Sequence, residues 1–179
     1  MNKAIFIDKD GTLIHDIPYN VDPNLVRFED TALESVSLLQ QLGYLIIIVS
    51  NQPGVALKYF EEKDLKKVEE KINHVLHEKN AVLNGFYYCP HSPESQCHCR
   101  KPAPGLLLKA ASDLEVDLSR SWMIGDILND VEAGKRSGSK TILIDNGNET
   151  EWELNAFRSP DFTAKNMKEA SEIIMAQDG

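Results

Sequence analysis

Five short apolar runs punctuate the chain: KAIFID (3 to 8), YLIIIVS (44 to 50), GFYYC (85 to 89), WMIGD (122 to 126) and KTILID (140 to 145). They are largely continuous and rich in β-branched or aromatic residues, the pattern of strands buried on both faces of a parallel sheet. Between them the apolar positions take a helical period. Leu33, Val36, Leu39 and Leu42 form one stripe, closed by Gly43, and Leu65, Val68, Ile72, Val75 and Leu76 form a second. Further helices are expected at about 104 to 115, 129 to 138 and 167 to 176. EEKDLKKVEEK (61 to 71) reads as the solvated face of the second helix. Strand and helix alternate without repeat, low-complexity tract or linker, which predicts an α/β fold: a doubly wound, mainly parallel sheet with helices on both faces. Residues 1–179 are expected to form a single domain.

Composition narrows the class. A hydrophobic content of 42% suffices for a core covered on two faces. The net charge of -9 argues against a nucleic-acid partner, which would call for a basic field. No stretch approaches the ~20 apolar residues of a membrane span, and the first apolar run is cut by Asp8 before it resembles a signal peptide. A cytoplasmic monomer acting on a small molecule is expected, with no membrane partner.

In doubly wound sheets ligands bind beyond the carboxyl ends of the strands, and here each end is polar. Asp8 and Asp10 follow the first strand, Ser50 and Asn51 the second, a cysteine segment the third, and Gly125 and Asp126 the fourth. Two carboxylates two residues apart in extended chain point the same way and repel. A divalent cation relieves that repulsion, and Mg²⁺ suits carboxylate oxygens shared with a substrate phosphate, Asp126 supplying a third oxygen. An anionic Asp8 could then attack phosphorus, with Asp10 protonating the leaving alkoxide and afterwards taking a proton from water. Donors for the phosphoryl oxygens would come from the Ser50 hydroxyl, amides beyond it and Lys101. Gly11 permits the sharp turn.

CPHSPESQCHC (89 to 99) holds all three cysteines of the chain. Cys89, His91, Cys97 and Cys99 make a donor set suited to tetrahedral Zn²⁺, with His98 a competing ligand. Four protein ligands leave no open position, so the zinc should be structural, fixing a loop of little apolar content and the Arg100 and Lys101 that follow it. His15, His74 and His77 fit no ligand spacing. Trp122 and Trp152 are expected to pack, although DNGNETEW (145 to 152) follows the fifth strand and could border the crevice.

DKDGT (8 to 12), SN (50 to 51), Lys101 and GDILND (125 to 130), in that order, resemble the four motifs of the haloacid dehalogenase superfamily, over nearly the whole chain. The resemblance implies that Asp8 is a nucleophile forming an aspartyl-phosphate and Asp10 the general acid/base. It further implies that Ser50 and Lys101 hold the phosphoryl group and that Asp8, the Asp10 carbonyl and Asp126 hold Mg²⁺. Asp130 would support that site from the same helix face as Asp126. An aspartate in the second position resembles the phosphatases rather than the dehalogenases.

The zinc loop is similar to that of the branch containing heptose bisphosphate phosphatases and histidinol-phosphate phosphatases. Residues 52 to 84 are mostly one helix, so no large cap fits there and the site should be open. NQPG (51 to 54) and YFEEKDL (59 to 65) lie closer to the heptose enzymes, which implies a sugar bisphosphate substrate contacted by Asn51 and Arg100. Heptose enzymes commonly carry lysine where this chain has Ile127. Histidinol phosphate is the alternative substrate. A phospho-accepting receiver domain is the rival of another class, although it needs no second aspartate.

Overall fold

The structure is a computed structural model and describes residues 1–178. Its elements in chain order are β1 (Lys3–Ile7), α1 (Ala32–Gln41), β2 (Tyr44–Asn51), α2 (Glu62–His77), β3 (Gly85–Cys89), α3 (Gly105–Leu114), β4 (Trp122–Gly125), α4 (Leu128–Ser137), β5 (Lys140–Ile144), β6 (Phe162–Ala164) and α5 (Met167–Asp178). The sheet runs β3-β2-β1-β4-β5-β6, and every neighbouring pair is parallel. The expected doubly wound sheet is observed, with one strand more than the hydrophobic pattern gave. That strand, β6, is only three residues long and pairs along one edge with β5. Its Thr163 is exposed, so it leaves no apolar run.

The two-residue period of the strands divides the core. Ile5, Ile7, Ile46, Ile48, Trp122, Ile124 and Ile142 face α1, α2 and α5, whereas Ala4, Phe6, Ile47, Val49 and Met123 face α3 and α4. Strand residues on both faces are almost wholly excluded from water. At about 1.5–3 kcal/mol for each large apolar side chain buried, this central slab dominates the driving force for folding. Helix α1 ends one residue before Leu42, which is exposed, and Gly43 turns the chain back at φ +93 with its N–H on the Gln40 carbonyl.

Trp122 is buried as expected and donates its indole N–H to Asp178. That carboxylate, at the end of the sheet opposite the motif loops, also receives the Tyr44 hydroxyl and the Lys140 ammonium. Trp152 is 49% exposed, contrary to expectation, because the loop after β5 runs outside the core. His15, His74 and His77 are exposed. Only loop and one short 3-10 turn separate β1 from α1, and α2 occupies most of the path from β2 to β3, so no large cap covers the carboxyl ends of the strands. No helix among the described residues is long and apolar enough to cross a membrane.

Candidate active site

The sheet order reverses direction between β1 and β4, and the crevice at that switch point receives the loops after both strands. Asp8 leaves β1 with its N–H on the Ile124 carbonyl of β4, which fixes the strand ends side by side. Oxygens of Asp8, Asp126 and Asp130 lie within 4.8 Å of one another, and all three residues are shielded from water. Two glycines permit this crowding. Gly11 has φ +86, and a Cβ there would overlap the Asp126 carboxylate; a Cβ on Gly125 would overlap the Asp130 carboxylate.

One ammonium joins the centre. Lys101 Nζ donates to Asp8 Oδ1 at 2.6 Å, to Asp130 Oδ1 at 2.7 Å and to the Val49 carbonyl at 2.9 Å, using all three of its N–H bonds. Burial, reinforced by the charges of Asp130 and Asp126, pushes the Asp8 carboxyl well above the ordinary carboxylate range, against the pull of Lys101. Burial raises Asp130 as well, opposed by Lys101. For Lys101 itself burial disfavours the charge, but Asp130 and Asp8 outweigh it and hold the ammonium above its usual value. Asp8 and Asp130 therefore share one ammonium and still lie above the ordinary carboxylate range.

The donor chemistry suits a hard divalent ion. Asp8 Oδ2 receives no hydrogen bond, and no described residue donates to the Asp10 carbonyl, which leaves oxygens beside Asp126 for coordination. Asp130 differs from expectation in its placement. Asp126 precedes α4 rather than lying on its face, and Asp130 Oδ2 accepts the N–H groups of Asp126 (3.2 Å) and Ile127 (3.3 Å) at the start of the helix. Its other oxygen is held by Lys101, so Asp130 braces the site instead of facing outward.

The other motif residues converge too. Ser50 is buried, and its hydroxyl accepts Gln52 Nε2 at 2.7 Å, the same amide reaching Asp10 Oδ2 at 3.3 Å. The Asn51 side chain is engaged with the main chain of Lys101 in both directions: Oδ1 accepts its N–H (2.9 Å) and Nδ2 donates to its carbonyl (3.0 Å). Its carboxamide therefore seats the lysine.

Sequence reasoning passed over several participants. Lys9, 2% exposed, donates to Asp10 Oδ1 at 2.9 Å. Gln52 bridges Ser50 and Asp10, Thr12 donates to Asp126 Oδ1 at 3.1 Å, and Asn148 donates to Asp126 Oδ2 at 2.7 Å. Lys9 could have been suspected from its place between two aspartates. Asn148 lies in the stretch 145 to 152, expected to border the crevice, which it does, but nothing local marks its own role, because its partner is 22 residues away.

The cysteine segment folds as a closed cluster. Cys89 Sγ lies 3.3 Å from His91 Nδ1 and 3.6 Å from Cys97 Sγ, and His91 Nδ1 lies 3.2 Å from Cys99 Sγ. Tetrahedral bonds of about 2.0–2.3 Å place ligand atoms about 3.3–3.8 Å apart, so the four donors fit a zinc ion. His98 stands outside the group; its carbonyl accepts the Gly105 N–H at the start of α3. Without metal the thiols differ: burial pushes Cys89 up to about 12, whereas at Cys97 the N–H of Arg100 and the neighbouring Cys89 outweigh burial and bring it to about 6. The loop is tied to the segment after β2 through Gln52 N–H on the Cys89 carbonyl and Ala56 N–H on the Pro90 carbonyl. Arg100 keeps a buried Nη1 with no hydrogen-bond partner.

The site is open. A cavity of about 250 Å³ next to it is lined in part by Gly11, Thr12 and Asn146, while a groove of about 740 Å³ lies between α1 and α5 away from the strand ends.

Comparison with known proteins agrees with this arrangement. The HAD-hydrolase-like family model matches residues 98–170. The chain is 40% identical over 154 residues to D-glycero-beta-D-manno-heptose-1,7-bisphosphate 7-phosphatase of Pasteurella multocida, covering 82% of this chain and 84% of the relative. It is 33% identical to the enzyme of the same name from Escherichia coli K12, covering 86% and 88%. The crystal structure of D,D-heptose 1,7-bisphosphate phosphatase from B. bronchiseptica, complexed with magnesium and phosphate, superposes with a TM-score of 0.87 at 26% identity, covering 98% of this chain and 99% of that one. These likenesses span both motif-bearing halves of the sheet and leave no ground for a receiver domain. The chain belongs to the haloacid dehalogenase-like hydrolases and is one of their phosphatases.

Proposed function

We propose that this phosphatase removes the 7-phosphate of D-glycero-D-manno-heptose 1,7-bisphosphate, with Asp8 as nucleophile, Mg²⁺ as cofactor and zinc as a structural ion. The observation that carries the reading is the likeness to heptose bisphosphate phosphatases over more than four fifths of both chains, with every motif position filled. The magnesium and phosphate in the neighbouring crystal structure support the choice of metal.

Asp8, Asp126 and the Asp10 carbonyl would hold Mg²⁺, which when bound offsets the negative charge of the phosphoryl oxygens and lets an anionic carboxylate approach. Lys101 pulls Asp8 toward its ionised form and, through Oδ1, fixes the rotation of the carboxylate. An Asp8 oxygen bonds to phosphorus as the bond to the sugar oxygen breaks, and Asp10 gives that oxygen its proton. Lys9 and Gln52 reach the two oxygens of the Asp10 side chain and fix its orientation, and Asp10 would enter the first step in its protonated form. Asp10 then takes a proton from water, whose oxygen attacks phosphorus, breaks the bond to Asp8 and releases inorganic phosphate. Ser50, and Lys101 by redirecting one of its three donors, would hold the transferring oxygens, Asn51 would hold Lys101, and the Arg100 guanidinium would meet a second anionic group on the substrate.

Zinc on Cys89, His91, Cys97 and Cys99 would fix the loop from which Arg100 and Lys101 emerge. The single domain would work as a cytoplasmic monomer. One residue favours a second substrate: Ile127, apolar where heptose enzymes commonly have lysine, opens the case for histidinol phosphate.

Phosphate release from heptose 1,7-bisphosphate and from histidinol phosphate, with the cleaved position read by ³¹P NMR, tests the reading. Preferential loss of the 7-phosphate is expected. Faster turnover of histidinol phosphate would overturn the substrate, and loss of the 1-phosphate would overturn the regiochemistry.

A further inference from the structure

The loop between β5 and β6 reaches back to the carboxylate centre by several routes. Asn148 Nδ2 donates to Asp126 Oδ2 at 2.7 Å, Asn146 Nδ2 donates to the Gly11 carbonyl at 3.0 Å, and Glu149 Oε2 accepts the Leu128 N–H at 2.6 Å at the start of α4. The loop thus grips the turn after β1, the residue after β4 and the helix that follows. On the opposite oxygen of Asp126, Thr12 donates from a buried hydroxyl. A carboxylate held by one donor can still swing about that bond; one donor on each oxygen removes the remaining freedom. The fit is close, since a Cβ on Gly11 would lie 2.9 Å from Asn148 Nδ2.

We propose that Asn148 is a positioning residue for the divalent cation, orienting Asp126 and so setting Mg²⁺ affinity without taking part in the chemical steps. The inference rests on the magnesium reading under Proposed function. Its selectivity follows from the contacts: among the site carboxylates and Lys101, the Asn148 side chain bonds to Asp126 alone. Hydrogen-bond partners of metal ligands are worth about 10–100-fold in affinity.

Isothermal calorimetry with Mg²⁺ on the full chain, for the native protein, Asn148→Ala, Thr12→Val and Asp126→Asn, tests it. Asn148→Ala is expected to weaken binding about 10–100-fold and to raise the Mg²⁺ concentration for half-maximal turnover by the same factor. At saturating Mg²⁺ its kcat should stay within about twofold of native, because the effect is on binding alone. Asn148 is exposed, so the thermal midpoint of the metal-free protein should not move, while the rise produced by Mg²⁺ shrinks. Thr12→Val should weaken binding in the same direction. Unchanged Mg²⁺ affinity in Asn148→Ala overturns the proposal, as does a fall in the metal-free midpoint that matches the loss of affinity. Native-like Mg²⁺ binding by Asp126→Asn overturns the magnesium reading itself, an outcome separate from the other two.

Discussion

The carboxylate centre and the cysteine cluster lie at the same end of one sheet and are built on opposite plans. The first gathers acidic groups that repel, holds them with one lysine, and leaves oxygens on Asp8 and Asp10 unclaimed. The second brings four soft donors within contact of one another and leaves no vacancy. A centre that exchanges substrate at every turnover must stay incomplete, whereas a closed set of four donors suits an ion that holds a loop. The two are joined through the main chain, because Lys101 follows two residues after Cys99 and is seated by Asn51.

Substitutions can break this comparison, and the largest effect belongs to the open centre. Asp8→Asn is expected to abolish phosphate release with zinc content and fold retained; residual turnover near native would show that another group attacks. Asp10→Asn should lose about 10²–10⁴-fold, the usual worth of acid/base catalysis. Lys101→Ala tests the link between the centres. It strips two buried carboxylates of their partner, so turnover should fall about 10²–10³-fold and stability by about 3 kcal/mol. Lys109→Ala, which breaks an exposed i,i+4 pair with Asp113 and a distant contact with the Tyr87 ring, should change both little. Equal, mild effects would deny Lys101 a part in turnover.

The closed centre should respond differently. Cys97→Ser, or chelation of zinc under reducing conditions, should lower thermal stability, loosen residues 89 to 101 to hydrogen exchange and cut activity even at saturating Mg²⁺. Zinc loss with unchanged loop protection and activity would refute its structural role. Mg²⁺ removal should instead leave the fold and the zinc in place and be fully reversible.

The smallest effect is expected at the far end of the sheet, where Asp178 gathers Tyr44, Trp122 and Lys140. Although burial alone would raise it, these partners hold its carboxyl below the ordinary range. A depressed acid stabilises the fold above its unfolded value of about 3.9, and that contribution fades as pH falls through the folded value. Asp178→Asn should therefore lower the thermal midpoint by roughly 2 °C at neutral pH, the equivalent of under about 1 kcal/mol. The difference should narrow below about pH 4, with activity unchanged throughout.

What the sequence made legible follows the range of the interactions. Asp8 and Asp10 could be read because strand geometry aligns residues two apart, and the cysteine cluster because its ligands fall within eleven positions. Buried strands declared themselves through continuous apolar runs, which is why short, half-covered β6 did not. Asn51 was found as a motif residue, yet its partner, the main chain of Lys101, exists only after β2 and the zinc loop meet. Gln52 sits within NQPG, but its reach to Asp10, like that of Asn148 to Asp126, exists only once distant segments meet. Asp130 was found, but its task as a brace at the start of α4 depended on where the helix begins.

The missing cap also bears on time. Enzymes that fold a lid over the substrate spend part of each cycle on microsecond to millisecond closure, and often wait for it to reopen before product leaves. Here the segments bordering the nucleophile are tethered, the one after β1 by Glu29 N–H on the Leu13 carbonyl and the one after β2 by Ala56 N–H on the Pro90 carbonyl. Inorganic phosphate meets no gate on its way out. With no lid to reopen, kcat is expected to be insensitive to an added viscogen, and a fall in kcat with viscosity would show that product release limits turnover.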